Sequence, residues 1–76
     1  MKLSDAKPRD TVIVTDLSKV PLVEQNVLRD MGLYEMSVIY VDENKNGEVV
    51  FHKDAGPLKV SARRSEKICI GKYKSK

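Results

Sequence analysis

Apolar positions fall into short β-branched runs along most of this chain and into a helical stripe in only one place. Residues 11–17 (Thr-Val-Ile-Val-Thr-Asp-Leu) read as a first strand. Residues 37–42, built on Val38, Ile39, Tyr40 and Val41, read as a second, and residues 48–53 as a third. Between these two lies Asn46-Gly47, a hairpin signal because both residue types tolerate the positive φ of a type I′ turn. Residues 58–62 alternate, with Leu58, Val60 and Ala62 on one face and Lys59 and Ser61 on the other; Arg64-Ser65-Glu66 reads as a brief turn, and residues 68–70 as a last strand.

The helical stripe covers residues 20–31. Val20, Val23, Val27, Leu28 and Met31 share one side, which predicts the core face; Glu24, Gln25, Arg29 and Asp30 fall opposite. Ser18 or the residues just after it start the helix, and Pro21 suits its first turn, where a missing N–H costs nothing. Gly32 ends it, and Leu33 is placed to fold back on Leu28 in a Schellman stop. Five short strands and one early helix in so small a chain hide their sheet edges most economically by curling. The fold expected is mostly β with one helix, a small SH3-like, partly open barrel forming one domain over residues 1–76, with the helix between the first two strands.

Composition narrows the class. At 76 residues the core is thin, but 41% hydrophobic residues and a net charge of only +3 argue against disorder. Cys69 is the sole cysteine, so no internal disulfide forms, which favours a reducing, cytoplasmic setting. The first ten residues lack the apolar core of a secretion signal. No apolar run approaches the ~20 residues that span a bilayer.

The chemistry-bearing residues are sparse. His52 is the sole histidine, and neither it nor Cys69 sits in a pattern that activates a nucleophile, so no catalytic residue is assigned. Neither C-x-x-C nor H-x-x-x-H spacing occurs; His52 and Asp54 lie near each other along the chain, too few for a tight metal site, and Cys69 reads as a small apolar strand residue. The four glycines form no phosphate-binding loop, and no cofactor is expected. The remaining candidates are surface contacts. Tyr34 and Met36, with Met31 and Leu33 beside them, offer large side chains at the helix end, and Arg63-Arg64 is a basic pair suited to a carboxylate or phosphate. The basic pair and the lysines of the last segment keep a second reading open, a small basic barrel that binds nucleic acid, although the aromatics are too scattered to form a stacking platform.

Taken in order, these residues resemble the FeoA family, which accompanies the bacterial ferrous iron transporter FeoB. The opening Met1-Lys2-Leu3-Ser4-Asp5 with Lys7-Pro8 and Asp10, the stretch Leu28-Arg29-Asp30-Met31-Gly32-Leu33, then Val38 to Val41, Gly56, Val60 to Arg64 with Glu66, and Ile68 to Ile70 carry the likeness over nearly the whole chain. The resemblance implies an SH3-like fold, a cytosolic location and a regulatory or assembly role in iron uptake, with the cytosolic part of a FeoB-like membrane GTPase as partner and no catalytic residue. Met31, Leu33, Tyr34, Met36, Arg63 and Arg64 are the residues expected to meet that partner. Two departures stand out. Arg9 follows Pro8 where the family has Gly, which predicts a type I turn rather than a type II. Glu35-Met36 stands where the family has Pro-Gly, which predicts a loop of different shape.

Overall fold

The computed structural model describes residues 1–53 and 56–73. A single turn of 3-10 helix, Leu3–Asp5, precedes β1 (Thr11–Asp16), α1 (Leu22–Asp30), β2 (Val38–Lys45), β3 (Glu48–His52), β4 (Leu58–Val60), α2 (Ala62–Ser65) and β5 (Cys69–Lys72). The strands form one antiparallel sheet in the order β4-β3-β2-β1-β5. It is the expected SH3-like, partly open barrel, with α1 between the first two strands.

The hairpin registers as its turn chemistry dictates. Lys45 pairs with Glu48, and Asn46 (φ 53°) and Gly47 (φ 96°) make the two-residue type I′ loop between them. A bulge between Val41 and Glu43 bends β2, and one between Val14 and Asp16 bends β1 where it passes to β5. The curled sheet encloses Val12, Val14, Ile39, Val41, Val49, Phe51, Val60, Ile68 and Ile70, and Leu3, Leu28 and Leu33 belong to the same buried cluster. Ala62 does not continue β4: Ser61 takes the cap position, its Oγ accepting from the Arg64 N–H at 3.4 Å, and turns the chain into α2.

The helix is shorter than its apolar stripe and rotated away from it. Of its nine residues only Leu28 is buried, while Val23 is 77% and Val27 42% exposed. Gln25, expected on the polar side, turns inward instead. Its Nε2 donates to the carbonyls of Leu17 (3.0 Å), which also accepts from Val20 N–H (2.9 Å), and of Val20 (2.8 Å). These bonds set the helix rotation with Gln25 and Leu28 inside, which carries Val23 and Val27 to the outside. Pro21 precedes the first turn, and its carbonyl accepts from Gln25 N–H at 2.9 Å. Ser18 is not the cap. Its N–H and hydroxyl both donate to the Asp16 carboxylate at 2.9 Å, and these bonds, the backbone one foremost, hold that carboxyl below its ordinary value of 3.8.

The turn at Pro8-Arg9 is the second correction. Asp10 N–H donates to the Lys7 carbonyl at 3.1 Å, and Arg9 sits at φ 75°. Pro8 cannot adopt positive φ, so this is a type II turn with an arginine where glycine is free of strain. Two bonds override the local preference: Arg9 N–H to the Val41 carbonyl (2.7 Å) and Val41 N–H to the Asp10 carbonyl (2.8 Å). The left-handed conformation costs an L residue roughly 1–2 kcal/mol, of which glycine's greater unfolded-state entropy returns about half. Arg9→Gly is therefore expected to stabilise the fold by up to about 1 kcal/mol, read as a higher urea midpoint at unchanged slope. A loss of stability would show that the arginine side chain contributes more than the turn strain costs.

Candidate functional site

The end of α1 is fixed by its own backbone. Gly32, at φ 91°, follows the last helical turn; its N–H donates to the Arg29 carbonyl at 2.9 Å, and Leu33 N–H donates to the Leu28 carbonyl at 2.8 Å. These are the two bonds of a Schellman motif, and Leu28 and Leu33 are both fully buried beneath it. Leu33 thus cannot meet a partner, contrary to expectation; it anchors the residues that can.

The next four residues form a second type II turn. Ser37 N–H donates to the Tyr34 carbonyl at 3.0 Å and Met36 takes φ 75°, while Tyr34 N–H returns a bond to Ser37 Oγ at 3.2 Å. Positive φ at the third position is what a Pro-Gly pair would supply, and Met36 adopts it here without glycine. β1 imposes it: Met36 N–H donates to the Val14 carbonyl (2.7 Å) and Val14 N–H to the Ser37 carbonyl (2.8 Å). The Met36 side chain is consequently held outward, 72% exposed, with Tyr34 41% exposed and Met31 half-buried beside it.

Lys53 completes the surface. Its Nζ donates to the Tyr34 hydroxyl at 2.6 Å and lies 4.1 Å from the Tyr34 ring centroid, and its stem crosses Gly32, where a Cβ would stand 3.3 Å from Cδ. Grooves flank Tyr34 on two sides. One, of about 460 Å³, runs between Leu17, Gln25 and Glu35; the other, of about 550 Å³, lies between Val27, Met31 and Leu58. Tyr34 and Met36 are exposed, but nothing in the local sequence signals the Lys53 contact, which depends on β3 ending opposite the helix stop.

The basic pair is divided. Arg64 Nε donates to Glu24 Oε1 at 3.0 Å, tying α2 to α1, and Arg63 alone of the two is exposed. His52 is exposed on β3, with Nδ1 3.1 Å from both Asp42 carboxylate oxygens and its ring 5.1 Å from the Tyr40 ring. Asp54 lies outside the described residues. Among the described residues no three His, Cys, Asp or Glu side chains gather as metal ligands. Cys69 is partly buried in β5. No helix among them is long and apolar enough to cross a membrane.

No protein-family model matches the sequence, and no curated protein matches it. Among solved structures, an FeoA-like protein from Clostridium acetobutylicum, determined by NMR, superposes with a TM-score of 0.79 at 13% identity, over 100% of this chain and 90% of that one. The chain has an FeoA-like fold. At this identity the agreement is one of architecture.

Proposed function

We propose that this chain is a small cytoplasmic accessory protein of bacterial ferrous iron uptake, which binds the cytosolic part of a FeoB-like transporter through the end of α1 and the turn after it. The observation that carries the reading is the FeoA-like fold over the whole chain, joined to the Leu28-Arg29-Asp30-Met31-Gly32-Leu33 stretch that forms the helix stop. Met36 supports the location. A non-glycine residue kept at φ 75° with its side chain in solvent accepts strain for which the fold gains nothing that glycine would not give, and such strain collects where side chains are used. Tyr34 is held from two directions, so little ordering remains when it is buried against a partner. The role needs no catalytic group and no resident metal. The nucleic-acid reading loses part of its support, because Arg64 is engaged with Glu24.

Co-purification with the transporter and ferrous uptake in cells test the assignment. Tyr34→Ala is expected to weaken association at least about tenfold, roughly 1.4 kcal/mol, with the fold intact. Met36→Gly separates fold from function: it relieves the turn and raises stability by up to about 1 kcal/mol while lowering association and uptake. Normal association and uptake in both folded variants would place the contact elsewhere.

A further inference from the structure

The two edges of the sheet are treated differently. Outside β5 lies the N-terminal segment: Ile70 N–H donates to the Met1 carbonyl at 2.7 Å, Leu3 N–H donates to the Ile68 carbonyl at 2.8 Å, and Lys2 bridges Cys69. β4, at the other edge, has no backbone partner beyond β3 among the described residues. Its Leu58 is also a wall of the 550 Å³ groove that Val27, Met31 and Tyr34 line, so an unpaired edge borders an apolar trough.

We propose that the β4 edge binds an extended acidic segment of another protein, which adds a sixth strand and lays alternate apolar side chains beside Leu58 and Met31. Backbone groups on an open edge recognise an extended chain and no other conformation, which is how strand addition gains its affinity. Charge selects among such chains. Lys59 points outward at the centre of β4, and Arg29 and Lys53 flank the groove against the single carboxylate of Asp30. A second copy of this chain fits poorly, because antiparallel pairing of two β4 edges about their centres sets Lys59 against Lys59, and like charges directly opposite are destabilising. A segment with carboxylates on its outer face meets Lys59 favourably. The groove shares Met31 and Tyr34 with the surface proposed to meet the transporter, but the proposal concerns what the β4 edge binds, whichever protein carries that segment.

The test uses the whole chain, isotope-labelled, and a nine-residue peptide alternating valine with glutamate. Saturable shifts are expected at the amides of Leu58, Lys59 and Val60 and around Met31 and Tyr34. The same peptide N-methylated at every residue, which blocks pairing through both edges but keeps the side chains, should bind at least tenfold more weakly. A peptide with lysine in place of glutamate should bind several-fold more weakly, and Lys59→Glu should reverse that preference. Absence of saturable binding, shifts centred elsewhere, equal binding of the N-methylated peptide, or a dimer paired through β4 would each overturn the proposal.

Discussion

Leu28→Ala is expected to cost about 2–5 kcal/mol, the range for a fully buried leucine that leaves a cavity. Stability for a chain of this length is on the order of 4–11 kcal/mol, so the loss runs from about a fifth of it to all of it. The position is exceptional because α1 has no other buried side chain. Leu28 is the one apolar link between the helix and the core along the helix itself, and its carbonyl also accepts from Met31 (3.0 Å) and Leu33 (2.8 Å) at the helix stop. Val23→Ala, one turn earlier on the stripe that sequence alone would bury, should change stability by no more than about 0.5 kcal/mol. Urea unfolding of the two variants measures the contrast directly. Similar costs at both positions would mean that the helix packs on the Val23 face after all.

The strands were legible because their signals are local. Asn46-Gly47 specifies a hairpin wherever it occurs between two β-branched runs, and Gly32 with Leu33 specifies a helix stop from side-chain chemistry alone. The rotation of α1 was not, because it follows from the bonds of the Gln25 amide to two loop carbonyls, and no periodicity argument sees them. The turn at Arg9 was misread, and Met36 takes the same conformation, for one physical reason. Residue type favours negative φ at both, and strand-to-loop bonds to Val41 and Val14 outweigh that preference. At the candidate site the exposed Tyr34 and Met36 could be found from their place after the helix stop, but burial of Leu33, the engagement of Arg64 by Glu24 and the Lys53 contact arise only when distant elements meet.

Asn44→Ala is expected to cost about 2–4 kcal/mol, although Asn44 carries no signal in the sequence beyond ordinary loop polarity. Its Nδ2 donates to the carbonyls of Ser4 (3.0 Å) and Ala6 (2.6 Å), and its Oδ1 accepts from Gly47 N–H at 2.9 Å. Each such bond contributes about 0.5–1.5 kcal/mol, and alanine leaves the partly buried partners on both sides without a substitute. Asn44→Asp should fare no better, since it keeps the bond to Gly47 but sets a carboxylate against two carbonyl oxygens. The consequence reaches beyond stability. Asn44 fastens the N-terminal segment to the hairpin, and that segment is what covers the β5 edge through Met1 and Leu3. Releasing it should speed hydrogen exchange at the Leu3 and Ile70 amides before the rest of the sheet opens, and should give the protein two open edges, with self-association at high concentration as the result. Urea unfolding gives the energy, and exchange rates at those two amides give the location. A loss below about 1 kcal/mol with unchanged exchange there would show that the buried Leu3 and Ala6 side chains, rather than Asn44, hold the N-terminal segment in place.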